Sequence, residues 1–480
     1  MKIFTLILSF IFSLIGQAVF SQCLMPVNFV NQKDLPMPFP TVQINMTAHR
    51  DTVPSKPYLY ISAKGGGLII HNISSVTSPT QVAIVPISAF GNLHVMSTTQ
   101  SGNYLFVALG DHFPFSNQKS GLGIVDISNP NSPTVTATYS YTSISGAGQV
   151  CVEGNYAYLS AMQNGIIVLD VTNKSNIVFK SVFKPSVDFP KPGPNSSELA
   201  KINVRQIVAK NNVLYVCYDA GGVRVVNATN KNALVETGQY SNPAMLTRPR
   251  AYNNLVLNDS LVYVACDFAG MEVLNVKDTA NIFQTGWWNP WKADLAAVNQ
   301  WTNSPGHANE IEFDPLCKMV FMSCGRSDVM AVSVANPALP DSCARYGSAS
   351  DSLGSWGIGR YQNQLYVSYL VTATPFYANW GGTKILTYNN ACTTGINELK
   401  YETGFNVFPN PVSGELFMYS EDDAGIIELS DVAGRTVLQK NFTKGENKLN
   451  IEGLPAGPYF YKMRCPEKAK IKTGKLIVTD

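Results

Sequence analysis

The sequence predicts an all-β protein, made of a seven-bladed β-propeller followed by a small C-terminal β-sandwich domain. Two observations lead to this prediction. An apolar strand with a central aromatic, and a small residue two positions later, returns seven times before residue 392. From about Gly395 the pattern changes to one compact segment with its own turn residues. A period of about 50 residues that holds four short strands is typical of a propeller blade.

The repeats share further positions besides the aromatic residue. The seven aromatics are Tyr60, Phe106, Tyr158, Tyr215, Tyr263, Phe321 and Tyr366. In five repeats the residue seven positions later opens a second apolar run, and these residues are Gly67, Gly165, Gly222, Gly270 and Asp328. That run ends in Asp, Asn or Ser, as at Asn72, whose side chain can accept N–H groups of the next turn. The last repeat lacks an outer strand after Asn390, and we expect the segment 24–32 to supply it.

Two segments of the chain resemble a known repeat family. Residues 121–141 read GLGIVDISNPNSPTVTATYSY and residues 164–183 read NGIIVLDVTNKSNIVFKSVF. They resemble LVIVD repeats, which form β-propellers in secreted and surface proteins. The resemblance extends over about residues 40–392 and implies the propeller fold. It implies no particular activity, since members of that family mostly lack an assigned one.

The N-terminus has the pattern of an export signal. Lys2 precedes an apolar stretch over residues 3–15, and Val19, Phe20 and Ser21 fit the site that a signal peptidase cleaves. We therefore expect a signal peptide over residues 1–21 and a propeller over 22–392. No other segment approaches the ~20 apolar residues that span a bilayer, so no transmembrane segment is expected after signal removal.

The C-terminal segment, 404–480, follows an expected linker over 393–403 and contains the runs FNVFPNPVSGELFMYS, ELSDVAGRTVLQ, LPAGPYFYKM and KTGKLIVTD. These runs closely resemble the C-terminal sorting domain of type IX secretion cargo, found in Bacteroidetes. The characteristic residues are Pro409, Asn410, Pro411, Asp431, Gly434, Gly457, Tyr459 and Lys475. The resemblance implies engagement of the type IX secretion machinery and removal of this domain. It also implies a mature protein that is secreted or attached to the outer cell surface.

Nine cysteines in an exported chain permit disulfides. Closure of the ring by an N-terminal strand would bring Cys23 near Cys392, which makes this pair a disulfide candidate. Cys317, Cys324 and Cys343 lie in one repeat and offer a second pair. No cysteines show metal-ligand spacing such as C-x-x-C, so no structural metal site is expected.

Long insertions occupy only two kinds of position in the repeat. Residues 110–120 and 369–381 separate second and third strands, and residues 185–202 and 284–306 connect one blade to the next. Because strands alternate in direction, both kinds of loop emerge on the same face. Loops on a rigid scaffold commonly carry binding residues, so this face is the candidate binding face.

Aromatic residues are concentrated in these insertions, and four of the six tryptophans lie between residues 287 and 301. The ligand-binding candidates are Trp287, Trp288, Trp291, Trp301, Trp380, Phe376 and Tyr377. Exposed aromatic rings stack on the apolar faces of sugars. The alternative is that these rings form the small core of a long loop.

The segment HANEIEFD, residues 307–314, enters a predicted innermost strand and places Glu310, Glu312 and Asp314 on one side of it. Such carboxylates suit calcium binding or acid–base catalysis, or they simply line a hydrated channel. Recognised hydrolase and nucleotide-binding motifs are missing from the sequence. We therefore expect no catalytic residues and no required cofactor. If the protein is an enzyme, the candidates are Glu310, His307 and Arg205.

Three functions agree with these patterns. The first, which we favour, is binding of an extracellular glycan or protein by the loop-rich face. The second is a polysaccharide-active hydrolase or lyase with its site at the channel mouth, and the third is a structural surface module without a ligand pocket. A formal charge of +2 gives no electrostatic reason to expect nucleic acid as a partner.

Overall fold

A computed structural model describes residues 27–37, 45–112, 117–295, 304–372, 375–389, 405–465 and 470–479. At residues 405, 406, 421–423, 465 and 470–473 it describes the backbone alone. The chain divides into two compact units, Met1–Cys392 and Thr393–Asp480. The first contains seven four-stranded antiparallel sheets and the second contains one five-stranded sheet. The predicted all-β fold, with seven blades and a small C-terminal β-domain, is confirmed.

Six blades are built from four consecutive strands each. Blade 1 comprises β2 (Thr47–Arg50), β3 (Tyr58–Ser62), β4 (Leu68–Asn72) and β5 (Thr80–Val85). Blade 2 comprises β6 (Val95–Ser101), β7 (Tyr104–Leu109), β8 (Lys119–Asp126) and β9 (Thr134–Ile144). Blade 3 comprises β10 (Val150–Glu153), β11 (Tyr156–Ser160), β12 (Ile166–Asp170) and β13 (Val178–Phe183). Blade 4 comprises β14 (Gln206–Lys210), β15 (Val213–Cys217), β16 (Val223–Asn227) and β17 (Val235–Tyr240). Blade 5 comprises β18 (Tyr252–Asn258), β19 (Leu261–Cys266), β20 (Gly270–Asn275) and β21 (Phe283–Trp288). Blade 6 comprises β22 (Glu310–Asp314), β23 (Met319–Ser323), β24 (Val329–Ser333) and β25 (Asp341–Tyr346).

Blade 7 closes the ring with strands from both ends of the first unit. It comprises β26 (Ser355–Tyr361), β27 (Gln364–Tyr369), β28 (Gly382–Tyr388) and, as its outer strand, β1 (Phe29–Pro36). The pairing of β1 with β28 confirms the expected N-terminal closure. The closing strand begins five residues later than the segment 24–32 that we predicted. An outer strand is largely exposed, so it carries little apolar alternation to mark its ends.

Short helical segments occur only in connections within the described part of the propeller. The α-helix α1 (Ser196–Leu199) lies in the connection between blades 3 and 4, and 3-10 turns span Ile87–Phe90 and Pro243–Met245. No helix among the described residues has the length and apolar character needed to cross a membrane.

In four blades a shared glycine stands at the start of the third strand, in the left-handed backbone region. Gly67, Gly165, Gly222 and Gly270 have φ values between 76° and 89°. A Cβ at Gly165 would lie 2.4 Å from the carbonyl oxygen of Phe183, at the end of the blade's outer strand. In blade 6, Asp328 takes this position with φ 56° and the residue beside it is Gly347, whose own Cβ would overlap the Asp328 side chain. The close approach therefore requires a glycine on one side or the other.

In blades 1 to 6 the polar residue that ends the third strand stabilises the turn that follows. Its side-chain oxygen accepts the backbone N–H two residues later, as the sequence predicted. The acceptors are Asn72, Asp126, Asp170, Asn227, Asn275 and Ser333.

The hydrophobic core of the propeller lies between blades. The seven repeat aromatics are all buried, and each packs in a cluster of buried apolar side chains. In one such cluster Phe106 and Leu122 of blade 2 pack with Leu159 and Ile167 of blade 3. Because a blade buries its faces only against its neighbours, the whole ring is the stable unit.

The cysteines of the propeller serve two roles. Cys317 and Cys343 are each disulfide-bonded, whereas Cys324 is a free buried thiol. The sequence had placed these three cysteines together as the source of one pair. The candidate pair Cys23 and Cys392 lies outside the described residues.

The second unit is one curled antiparallel sheet. It comprises β29 (Phe405–Phe408), β30 (Glu415–Ser430), β31 (Thr436–Asn450), β32 (Gly457–Cys465) and β33 (Lys470–Val478). β31 pairs with β30 along almost its whole length, whereas β29 and β32 pair with different parts of β30. Side chains of β30 to β33 share one core, which includes Leu416, Leu429, Leu449 and Leu476. The curled sheet thus encloses its own hydrophobic interior.

Candidate functional site

One end of the propeller channel collects the turns between second and third strands. We call this end the channel mouth and define it by the turns at Lys64, Asp111, Met162, Asp219, Asp267 and Gly325. Four of these turns form isolated β-bridges to the start of the next blade's inner strand: Lys64 to Val95, Met162 to Val204, Asp219 to Tyr252 and Gly325 to Ser355. Residues 119–120, 284–288 and 369 of the four predicted insertions belong to strands. The other described parts lie in second-to-third-strand loops or blade connections, and so belong to this face.

A cavity of about 320 Å³ lies on the channel axis below the mouth. The inner-strand segments of all seven blades contribute to its lining. Its polar lining residues include His49, Thr99, Gln149, Gln206, Asn254, Glu310 and Glu312. Glu310 and Glu312 belong to the carboxylates that the sequence offered as the lining of a hydrated channel.

Several of these polar side chains also join neighbouring blades. Gln206 exchanges two hydrogen bonds with the backbone of Leu255, donating its amide and accepting the Leu255 N–H. The Thr99 hydroxyl donates to the carbonyl oxygen of Val150 at 2.6 Å. These side chains therefore supply hydrogen bonds between neighbouring blades, whose sheets do not pair with each other strand to strand.

The two glutamates of the cavity are strongly affected by burial. Burial raises the pKa of Glu310 to about 8, against hydrogen bonds from the backbone of Ile358 and the amide of Gln149, which lower it. Burial raises the pKa of Glu312 to about 7, against the lowering effect of the Arg360 charge. At neutral pH Glu310 is therefore mostly uncharged, so it adds little negative charge to the cavity.

Three aspartates stand at the mouth, each beside a polar partner. Asp111 Oδ2 lies 3.0 Å from Lys64 Nζ and 3.3 Å from His94 Nδ1. Asp219 accepts a hydrogen bond from the Asn203 amide at 2.9 Å. The third, Asp267, places Oδ1 2.6 Å from His307 Nδ1. These contacts hold the side chains of the mouth in fixed positions.

Arg205, from the start of blade 4's inner strand, lies among residues of several other blades. Its guanidinium carbon is 5.9 Å from the ring centroid of Trp356, which belongs to blade 7. The His112 ring, from the insertion of blade 2, lies 6.0 Å from the same indole. Burial and the Arg205 charge hold the pKa of His112 well below its usual range, so this imidazole is neutral. Arg205, His112 and Trp356 thus form a mixed cationic and aromatic group at the mouth.

The structure assigns packing contacts to three of the tryptophan candidates. Trp288 is 5% exposed and donates its indole N–H to Ser342. Trp291 packs edge-on against Trp288 and covers Gly306 so closely that no Cβ would fit there. Trp287 is half-buried and donates to the carbonyl oxygen of Ala269. Trp287 and Trp288 lie on β21, the outer strand of blade 5, and not in the connection where the sequence placed them. Trp288 is too buried to offer a ligand a face. Trp301 lies outside the described residues.

The candidates in the blade 7 insertion differ in exposure. Phe376 is buried against His307 and Trp356, so it supports the mouth from below. Trp380 is covered by the ammonium group of Lys384, which lies 4.5 Å from its ring centroid. Tyr377 is 50% exposed, and the Arg326 guanidinium lies 5.6 Å from its ring centroid. Of these three rings, only Tyr377 is well exposed at this face.

The three residues named for the enzymatic alternative have different surroundings in the structure. Glu310 uses both carboxyl oxygens, one to accept from Gln149 and one to accept from Ile358. His307 is buried beneath the Phe376 ring and beside Asp267. Only Arg205 extends into the mouth. The contacts of Glu310 and His307 account for both residues as parts of the scaffold.

Sequence reasoning missed several residues of the mouth, although a signal for them was present. Lys64, Asp219 and Asp267 each stand four residues after a repeat aromatic, and Asp111 stands five after its own. Charged residues at one repeat position must gather at one end of the ring. These positions differ in residue type from copy to copy, so a comparison of the shared positions passes over them. His112 was overlooked because it carries no repeat signal.

The carboxylates of residues 307–314 were possible metal ligands on the sequence alone. Among the residues that the structure describes, no group of three His, Cys, Asp or Glu side chains is arranged to hold a metal ion. Asp314 accepts a hydrogen bond from the Tyr388 hydroxyl and lies 3.6 Å from Arg360.

Comparison with known families gives matches in both units. The LVIVD repeat model matches residues 53–86, 94–140 and 146–184, within blades 1 to 3 and their connections. The model described as a secretion system C-terminal sorting domain matches residues 406–479. The chain carries LVIVD repeats and a type IX secretion sorting domain. No curated protein matches the chain. The sorting domain indicates export through the type IX machinery to the cell surface or the medium.

The sorting-domain residues make contacts that hold its termini and turns together. Asn410 donates to the carbonyl oxygen of Lys475 and accepts the N–H of Ile477. Asp431 accepts the backbone N–H of Arg435 in the turn that contains Gly434, whose φ is 77°.

The remaining motif residues also lie at or near turns and strand ends of this domain. Tyr459 donates its hydroxyl hydrogen to the carbonyl oxygen of Pro455. Gly457, with φ 152°, begins β32. Pro409 and Pro411 flank Asn410, in the segment between β29 and β30. The motif therefore includes residues that the fold of this domain itself requires.

Proposed function

We propose that the exported propeller binds an extracellular ligand, a glycan or a protein, at the channel mouth. The observation that carries this proposal is the axial cavity of about 320 Å³, which polar side chains from separate blades line beneath the charged and aromatic mouth. Ligand sites of this kind combine a concave surface with a few fixed polar groups. The sorting domain serves delivery, so the propeller is the part that acts outside the cell.

The rigidity of the mouth supports this proposal. Asp219 is held by Asn203, and Asp267 is held by His307. The blade connection over residues 185–202 is itself anchored, because the buried Arg224 donates to the carbonyl oxygens of Ser186 and Phe189. Side chains fixed before binding lose little conformational freedom when a ligand arrives.

A binding screen with matched variants tests the proposal. The full chain would be applied to a glycan array and to gels that contain polysaccharides, together with Trp356→Ala and Tyr377→Ala. The control is Phe179→Ala, since Phe179 is an exposed aromatic on the outer strand of blade 3 that stacks on Tyr139 and Tyr141. We expect retention to be lost in the mouth variants and kept in the control, with all variants melting like the parent.

A protein ligand calls for a second measurement. A photo-crosslinking amino acid would replace Tyr377 at the mouth or Phe179 on the outer strand. Crosslinks to one cell-surface protein from position 377 alone would support the proposal. Retention that survives both mouth variants but fails in Phe179→Ala would place the site on the outer strands and contradict it. If neither retention nor crosslinking is observed, the structural module is favoured instead.

A further inference from the structure

We propose that the channel mouth recognises a carboxylate through Arg205 and that the ligand is an acidic polysaccharide with uronate units. This inference rests on the binding function proposed above and names the chemical class of the ligand. It depends on the state of Arg205, the charges around it and the ring beside it.

Arg205 carries a guanidinium group that lies over the Trp356 ring but makes no hydrogen bond or ion pair with a described residue. It stands just before β14, is half-buried, and extends from blade 4 to within 5.9 Å of the Trp356 ring centroid in blade 7. Among the residues that the structure describes, no hydrogen bond or ion pair reaches the guanidinium. A partly buried cation without an anionic partner is poorly solvated, so an entering anion improves its interactions. A carboxylate matches the guanidinium with two parallel hydrogen bonds.

The nearby carboxyl groups do not fill this role. The Arg205 charge lowers the pKa of Asp219 and of Glu310, but among the described residues neither carboxyl group forms an ion pair with the guanidinium. Burial raises the pKa of Asp219 to about 6, against the lowering effects of the Arg205 charge and of the Asn203 hydrogen bond. The Asp219 carboxylate accepts from Asn203, and Glu310 accepts from Gln149 and from the backbone of Ile358. Burial raises the pKa of Glu310 to about 8, which leaves it mostly uncharged at neutral pH. The guanidinium N–H groups of Arg205 therefore remain available to a ligand carboxylate.

The neighbouring ring suggests what carries the carboxylate. Trp356 is half-buried and lies beside Arg205, while the neutral His112 ring lies 6.0 Å from the same indole. A pyranose places its C–H groups on an indole face, and a uronate carries its carboxylate at the edge of that ring. One uronate unit can thus contact Trp356 and Arg205 together. A neutral sugar would use the ring and leave the guanidinium unsatisfied.

Calorimetry with paired ligands tests the inference. The probes are oligosaccharides of galacturonate, glucuronate and mannuronate, each beside its carboxyl-reduced counterpart. The proteins are the full chain, Arg205→Gln, Arg205→Lys, Trp356→Phe and the control Lys210→Gln, which removes a charge at the exposed far end of the same strand. We expect at least one uronate series to bind, with affinity about 10- to 100-fold lower in Arg205→Gln and unchanged in the control. Carboxyl reduction should weaken binding to the parent chain but not to Arg205→Gln.

The outcomes separate this inference from the proposed function. Equal binding of acidic and reduced oligosaccharides, or full binding by Arg205→Gln, overturns the inference. If Trp356→Ala still abolishes retention of that ligand, the mouth remains a binding site. Absence of binding by all three uronate series overturns the inference as well. Binding of a peptide with a free C-terminal carboxylate, but not its amide, would show that Arg205 reads a protein terminus and not a sugar.

Discussion

Glu310 and Ile358 join blades 6 and 7 inside the channel, where the Glu310 carboxyl oxygen accepts the backbone N–H of Ile358 at 3.0 Å. The same carboxyl group accepts from the Gln149 amide of blade 3 at 2.9 Å. One buried side chain thus connects three blades. Its protonation state affects the stability of the ring, which leads to the first prediction.

Glu310→Gln should change how stability depends on pH. Burial raises the pKa of Glu310 from 4.5 to about 8, so the folded state favours the protonated form. The corresponding stabilisation is complete below about pH 4.5 and is lost as pH rises through 8. Relative to the variant, the parent chain should lose up to about 4 kcal/mol across this window, at about 1.4 kcal/mol per pKa unit.

Chemical denaturation at several pH values measures this difference. Glu312→Gln should show a similar but smaller effect, because the pKa of Glu312 rises only to about 7. Glu153→Gln is the control, since among the described residues this half-exposed side chain accepts one hydrogen bond, from the Asn212 backbone. Parallel stability curves for the parent and Glu310→Gln between pH 4.5 and 8 would contradict the prediction.

Gly165→Ala should destabilise the propeller much more than Gly154→Ala. Both glycines have positive φ values, 89° and 59°, and both lie in blade 3. A Cβ at residue 154 meets nothing within 4 Å, so that change costs about 1 kcal/mol for the backbone conformation alone. A Cβ at residue 165 would lie 2.4 Å from the Phe183 carbonyl oxygen, so the backbone must move. Thermal melting of the two variants checks this, and similar melting temperatures would refute it.

Arg224→Ala should release the connection between blades 3 and 4. The fully buried guanidinium lies 3.1 Å from Glu236 Oε1, and it donates to the carbonyl oxygens of Ser186 and Phe189. Because the Glu236 side chain is 18% exposed, we expect a cost at the lower end of the range for buried ion pairs, about 3 kcal/mol. Hydrogen exchange should therefore accelerate over residues 185–199 before it does elsewhere in blade 4. The exposed Lys210→Ala is the control, and unchanged protection in the arginine variant would show that the connection is held by other contacts.

Phe29→Ala should weaken the closure of the ring. The Phe29 ring packs edge-on against Phe321 and Tyr346 of blade 6, at centroid distances of 6.1 and 6.2 Å. Because Phe29 is only half-buried, we expect a loss of about 2 kcal/mol in the free energy of unfolding. Val30→Ala on the same strand is the control, since Val30 is 54% exposed. Limited proteolysis should cut the Phe29 variant first within β1, and equal resistance of both variants would count against this role.

The repeat in the sequence was sufficient to predict the blades, their number and the closing strand. Each blade needs a buried aromatic residue. Where the outer strand comes close to the third strand, the blade also needs a glycine, either at the start of the third strand, as at Gly165, or at the end of the outer strand, as at Gly347 opposite Asp328. These are local requirements, repeated at a constant spacing, so they are visible without any knowledge of tertiary contacts. The sorting domain was predicted from its resemblance to a known domain, and turns such as the one at Asp431 show why particular residues recur in its motif.

The candidate site could not be predicted from local sequence in this way. Arg205, His112 and Trp356 come from blades 4, 2 and 7, and nothing in their local sequence relates them. The tryptophan cluster attracted attention because of its density, yet Trp288 lies on β21 and packs edge-on against Trp291 of the connection that follows. Residues that are far apart in the sequence meet at the axis because all seven blades are arranged around it in a closed ring. Which side chains meet at that axis, and which are left with an unsatisfied charge, depends on the closed ring as a whole and not on any single segment.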